Sequence, residues 1–265
     1  VSHYVATFSD ITARKKDEAD IYQLAFFDPL TGLPNRRQII DRLQQIQAEQ
    51  ARDGSHAALL FIDVDNFKNL NDVKGHDMGD LLLVEIAQRI QASIREFDLV
   101  GRLSGDEFVV VLNRLQSSRE LAAAQASAGA DKLQQVLRQP YVLKGFDYST
   151  TCSIGISLFD QELTVDELLK FADTAMYQAK DAGRNAVRFF DPAMQKAIEE
   201  RSALVDDLRV AIQQQQFVLF YQVQTGADGR AIGAEALIRW NHPTRGLLSP
   251  AMFIGLAEET RLILP

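Results

Sequence analysis

Two short runs hold most of the side chains able to do chemistry. Asp63-Val-Asp-Asn-Phe-Lys closes the apolar stretch Leu59 to Ile62, and Ser104-Gly-Asp-Glu lies between the apolar stretches Leu99 to Leu103 and Phe108 to Leu112. Both flanking stretches read as strands, and the small residues Ser104 and Gly105 suit a hairpin connection, so Asp106 and Glu107 are expected at a strand tip where carboxylates can face a ligand. Asp63 and Asp106 brought to one sheet edge, with no cysteine and no paired histidines beside them, suit a hard oxygen-seeking cation such as magnesium, with manganese as the alternative. Either aspartate alone is equally compatible with a strand end on a wet surface.

The elements that must position these groups alternate along the chain. Ala57 to Val64 reads as a strand. Gly79 to Arg95 reads as a helix with Leu83, Ile86, Ala87, Ile90 and Ile94 on one face. Leu115 to Arg138 is predicted helical, Tyr148 to Phe159 extended, Val165 to Ala182 helical and Val187 to Phe190 a last strand. Upstream, Asp28-Pro-Leu-Thr-Gly-Leu-Pro-Asn marks a turn before a helix carrying Ile39, Ile40, Leu43 and Ile46. The pattern predicts a two-layer α/β (α+β) domain with a mainly antiparallel sheet. Before it, Tyr4 to Thr12 reads as a strand and the charged run from Ala13 to Ala19 as a solvated helix. After it, a piece beginning near Asp191-Pro192 contains a helix from Met194 to Gln215 and a strand from Phe217 to Gln222.

With 265 residues, 46% hydrophobic and 24% charged, the chain can bury a substantial core. A net charge of -8 argues against a general DNA- or RNA-binding surface, which would be basic. Cys152 is the only cysteine, so neither an internal disulfide nor a cysteine-rich zinc site can form, and a reducing compartment is expected. No stretch approaches the roughly 20 apolar residues that cross a bilayer, so no membrane contact is expected from these residues. No G-x-x-x-x-G-K-[ST] loop is present, which excludes a P-loop mode of phosphate binding.

The SGDEF run together with DVDNFKNLNDVKGHDMGD (Asp63 to Asp80) resembles the GGDEF (diguanylate cyclase) family, with Ser104 in place of the first glycine of the signature. The resemblance implies a palm-like βαββαβ sheet of the ferredoxin-like, nucleotidyl-cyclase kind, flanked by helices. It implies condensation of two GTP to cyclic di-GMP and pyrophosphate, by a homodimer in the cytoplasm, any membrane attachment lying in a parent protein. In that pattern Asp63, the carbonyl of Val64 and Asp106 hold the metal, and Asp106 and Glu107 are catalytic. Asn71 and Asp80 read guanine, Phe67 and Lys68 meet the terminal phosphates, Ser104 and Gly105 line the substrate, and Lys180 and Arg184 add cations. Lys180 and Arg184 also fit a helix C-terminus offset by positive charge. Arg95 and Asp98 match the family's Arg-x-x-Asp product-inhibition site, although such a pair also occurs at helix ends. At Ser104 two consequences stay open: strain if the position needs positive φ, or obstruction of a phosphate by the added Cβ. The other reading of the family is a catalytically degenerate module that binds GTP or cyclic di-GMP and regulates a phosphodiesterase.

Two further resemblances extend the reading. Tyr4 to Thr12 and the charged helix after it are similar to the end of a PAS sensor and its signalling helix. GAEALIRWNHPTRGLLSPAMFIGLAEE resembles the opening of an EAL phosphodiesterase domain, in which Glu235 matches a metal ligand, Arg239 a phosphate contact and Gln222 a substrate contact. The expected organisation is therefore 1–27 sensor end and signalling helix, 28–191 GGDEF domain, and 192–265 linker helix with the first part of an EAL domain.

Overall fold

The computed structural model describes residues 12–159, 163–225 and 230–263, and the chain divides into two compact units, 1–195 and 196–265. In the first unit β1 (His56–Val64) is the central strand of a five-stranded sheet ordered β2-β3-β1-β6-β7, where β2 is Leu99–Ser104, β3 Glu107–Leu115, β6 Cys152–Leu158 and β7 Val187–Phe189. Only β6 and β7 are parallel; β1 runs antiparallel to both β3 and β6. This is the mainly antiparallel α/β sheet that the sequence pattern predicts. Leu59, Phe61, Val109 and Val111 face α2 (Arg36–Asp53) and α6 (Val165–Asp181), burying Ile39, Leu43, Leu168 and Met176. The alternate β1 side chains Ala58, Leu60 and Ile62 are fully buried on the other face, where α5 (Arg119–Leu137) packs on the sheet and α4 (His76–Ser93) packs on α5. Helices on both faces make three layers where two were expected, and this covering accounts for a strand that reads as continuously apolar rather than alternating.

The helices start where their sequences provide caps. The side chain of Asn35 accepts from the amide of Gln38, and Thr164 and Glu167 form a reciprocal capping box at α6. α6 sits close against β6 because residue 155 is glycine: a Cβ there would lie 2.0 Å from the carbonyl oxygen of Ala172. That close approach sets the height of Lys180 above the sheet edge.

Several expected boundaries move. β3 continues to Leu115, so α5 begins only after the Ser118 cap rather than at Leu115. The stretch expected as one strand from Tyr148 is divided: β5 (Phe146–Tyr148) pairs with β4 (Tyr141–Leu143) in a separate hairpin, and β6 starts at Cys152. A short helix, α3 (Phe67–Lys74), precedes α4, which starts at His76 rather than Gly79. α1 (Thr12–Phe26) is helical as expected, whereas the strand expected over residues 4–12 lies, apart from Thr12, outside the described residues. In the second unit β8 (Phe217–Thr225), β9 (Ala231–His242) and β10 (Gly246–Leu248) form an antiparallel sheet. Trp240, Phe253, Leu208 and Ala211 form its small core, with the latter two on α7 (Pro192–Gln213), the helix that spans the division between units.

Candidate functional site

Register brings the acidic residues together. Asp63 pairs across to Glu107 on β3 and to Ser153 on β6, so the end of β1 lies between the hairpin tip and the start of β6. Asp63 is 6% exposed, and Lys180 Nζ lies 2.7 Å from its Oδ1. Burial pushes the Asp63 carboxyl up to about 6; Lys180 opposes this, while Asp106 and Asp65 add like charge. Asp106 is also raised, by burial first and with Glu107 contributing, although Lys180 pulls the other way. Two neighbouring carboxylates, one buried and one partly buried, with one ammonium paired to the first, are short of positive charge.

The hairpin tip is held from below by Arg102. Its Nε and Nη2 donate to the carbonyl of Gly105 at 2.9 and 2.7 Å, while Nη1 reaches Asp28 Oδ1 at 2.9 Å. Burial of Asp28 is outweighed by hydrogen bonds from the hydroxyl and amide of Thr31 and by Arg102, which together hold its carboxyl below the usual range. The turn Asp28-Pro-Leu-Thr therefore braces the tip, a role the sequence left unassigned. At the tip Gly105 has φ of +47°, whereas Ser104 is outside the left-handed region. The strain considered for Ser104 does not arise. Its hydroxyl instead donates to Glu107 Oε2 at 2.5 Å.

Phe67 and Lys68 open α3, after Asn66 with φ of +58° and with no side-chain cap on the first-turn amides. Such uncapped amides favour anions. Asn71, on the same helix, has its Oδ1 buried without a hydrogen-bond partner, and a Cβ at residue 79 would lie 2.0 Å from that oxygen. Glycine at 79 thus leaves room for the amide, while Asp80 is exposed on the adjoining turn of α4. Arg184 is exposed beyond the end of α6, in a turn where Gly183, Arg184 and Asn185 all have positive φ. Lys180, grouped with Arg184 by sequence, is drawn instead to Asp63.

Arg95 and Asp98 lie apart from these groups. Asp98 accepts from the amides of Arg95 (2.9 Å) and Asn113 (3.1 Å), and Arg95, Asp98 and Lys132 all line a pocket of about 300 Å³. In the second unit Gln222 and Glu235 are cross-strand neighbours on β8 and β9, both exposed, and Arg239 Nη1 donates to the carbonyl of Ile238 at 2.8 Å. Among the described residues, no three His, Cys, Asp or Glu side chains converge closely enough to hold a metal by themselves. Magnesium does not require three, since it retains waters and takes substrate phosphates.

Residues 25–186, which contain the acidic edge, the tip and the Arg-x-x-Asp pocket, match the diguanylate cyclase GGDEF domain. The chain belongs to the GGDEF family. Residues 205–265 match the EAL domain. Over 254 residues this GGDEF chain is 44% identical to the bifunctional diguanylate cyclase/cyclic di-GMP phosphodiesterase MucR of Pseudomonas aeruginosa, covering 95% of the chain and 36% of that protein. The chain spans about a third of the length of the curated relatives it matches. The isolated GGDEF domain of YfiN, also from P. aeruginosa, is similar in structure, with a TM-score of 0.58 and 39% identity over 65% of this chain and 99% of that one. The GGDEF domain of DgcB from Caulobacter crescentus, solved in complex with c-di-GMP, gives a TM-score of 0.58 at 26% identity over 63% of this chain and 96% of that one. Among the described residues no helix is long and apolar enough to cross a membrane.

Proposed function

We propose that this GGDEF chain is a diguanylate cyclase, joining two GTP into cyclic di-GMP with release of pyrophosphate. The observation that carries the reading is that buried Asp63 couples to Asp106 at the hairpin tip while a single ammonium pairs with Asp63, an arrangement with negative charge to spare for divalent cations. Asp63, the Val64 carbonyl and Asp106 would hold magnesium or manganese, which when bound screens the triphosphate and lowers the pKa of an attacking 3′-hydroxyl. The protein's own groups do the rest. Asn71, whose amide group can donate, and Asp80, whose carboxylate accepts, together match the acceptor and donor edge of guanine, a pattern that adenine does not present. The first-turn amides of α3, Lys68 and Arg184 hold the phosphates. Glu107, tethered by Ser104, adds a carboxylate beside Asp106. Each site takes one GTP and the product contains two nucleotides, so two chains face each other during turnover.

Ser104, where the family signature has glycine, favours a second reading: a module that binds GTP or cyclic di-GMP and regulates an EAL phosphodiesterase. Incubating the chain with GTP and magnesium, and following cyclic di-GMP and pyrophosphate by chromatography, separates the two. Product whose specific activity falls on dilution, as paired chains separate, is expected. A folded, GTP-binding chain that makes none, with either magnesium or manganese, overturns the cyclase reading in favour of the second.

A further inference from the structure

Asp65 is 2% exposed and its carboxylate accepts three hydrogen bonds. Oδ1 accepts from the hydroxyl of Ser153 at 2.8 Å, and Oδ2 from the hydroxyl of Thr151 at 2.6 Å and the backbone amide of Asn185 at 3.0 Å. Its own backbone is fixed as well: its amide donates to the carbonyl of Thr151, and its carbonyl accepts from the hydroxyl of Thr150, both at 2.9 Å. One buried side chain therefore ties the end of β1, two residues from Asp63, to the start of β6 and to the turn after α6.

That turn needs a tie. Arg184 and Asn185 both lie in the left-handed region, with φ of +65° and +47°, a conformation that costs non-glycine residues energy and persists only where surroundings enforce it. The Arg184 amide closes on the carbonyl of Ala179 at 3.1 Å, which ends the helix but leaves the next peptide to be fixed. The Asn185 amide on Asp65 fixes it. Arg184 is exposed, so the course of its backbone decides the point from which its side chain reaches out.

We propose that Asp65 is a positioning residue for the triphosphate: by accepting the Asn185 amide it locks the left-handed turn and aims Arg184 at the phosphates gathered beside Asp63. The proposal rests on the reading of Arg184 as a phosphate contact. It also separates the two acids of the Asp63-Val-Asp65 run by role, with the first facing the ligand and the second holding the scaffold.

The test is a double-mutant cycle on the 265-residue chain, with affinity measured by calorimetry for a GTP analogue carrying a methylene between the α- and β-phosphates, and for GMP as the control lacking the outer phosphates. Asp65→Asn should weaken the triphosphate analogue by about tenfold, as expected for losing one charge-assisted hydrogen bond, and leave GMP within about twofold. On an Arg184→Ala background the same substitution should change nothing further. Equal losses for analogue and GMP, or additive losses in the double variant, overturn the positioning role and leave the Arg184 contact standing. An Arg184→Ala variant that binds the analogue as the wild type does removes the phosphate contact and the proposal with it. If Asp65→Asn does not fold by circular dichroism, Thr151→Val, which removes one hydroxyl from the same carboxylate, carries the same cycle with a smaller coupling.

Discussion

Asp63 and Glu235 occupy equivalent sequence settings, an acid within an apolar strand, and differ in almost everything physical. Asp63 is buried between β3 and β6, its carboxyl is pushed up to about 6, an ammonium lies against it and the charge of Asp106 acts on it. Glu235 is exposed on β9 opposite Gln222, and among the described residues it belongs to no group of three metal-type side chains. A carboxylate becomes reactive through what is gathered around it and how much water is removed, and only the first unit does both.

The widest separation between the two regions should appear in activity. Asp106→Asn keeps the shape of the tip but removes half of the carboxylate pair, and cyclic di-GMP synthesis should fall on the order of a thousandfold or more, as expected when several kcal/mol of charge stabilisation are lost. Glu235→Ala should leave synthesis unchanged, and the 265-residue chain should show no hydrolysis of cyclic di-GMP that this substitution removes. Hydrolysis lost on Glu235→Ala would erase the contrast.

The next effect is on stability. Folded Asp63 holds its proton more tightly than the unfolded chain, so between pH 3.8 and about 6 the folded state binds more protons and stability falls as pH rises. The contribution is intact below the lower value and gone above the upper one, a loss of about 3 kcal/mol at 1.36 kcal/mol per pH unit. Asp63→Asn removes the charge and with it the loss. In chelator the variant should match the wild type near pH 4 and exceed it by up to about 3 kcal/mol near pH 7, measured by urea unfolding. A difference that stays flat across that range would mean Asp63 is not electrostatically strained.

How far these contrasts were legible in the sequence depended on range. Periodicity and turn residues placed β1, the β2–β3 hairpin and α6, because apolar spacing and small residues act within a few positions. The β4–β5 hairpin and α3 escaped, since each is only a few residues long and its pattern merges with its neighbour's. Among site residues, the acids of the two motif runs were visible. Asp65 was not separable from Asp63, because its partners Ser153 and Asn185 are about ninety and a hundred and twenty residues away. No local signal separates the two acids, because Asp65 lies in the turn just past β1 and both follow the same apolar run. The pairing of Lys180 with Asp63 rather than with a phosphate cation pair was likewise hidden, because it depends on how closely α6 approaches β6 at Gly155.

A smaller effect is expected at the pocket containing Arg95 and Asp98. Asp98 is already occupied by two backbone amides, so its carboxylate shapes the loop while the Arg95 guanidinium faces solvent. If cyclic di-GMP binds there, Arg95→Ala should weaken it by about 1.5–3 kcal/mol, the range for a hydrogen bond to a charged group, and relieve any inhibition by product. Calorimetry showing unchanged affinity would assign Arg95 to the helix end alone.

The smallest effect should come from Ser104, and it sharpens the comparison because it tests whether the tip is limited by backbone, bulk or hydrogen bonding. Gly105, not Ser104, carries the positive φ, so serine imposes no left-handed strain. What it adds is the hydroxyl on Glu107, an exposed bond that should contribute ~1 kcal/mol. Ser104→Gly and Ser104→Ala should therefore slow synthesis by the same modest factor, about fivefold or less. Were strain or a Cβ against the phosphate the limit, alanine would behave like serine and glycine would be faster, by about tenfold for strain of 1–2 kcal/mol. Rates of the three side chains, measured at saturating GTP, order these cases, and a glycine variant faster than both others would overturn the hydrogen-bond account of the tip.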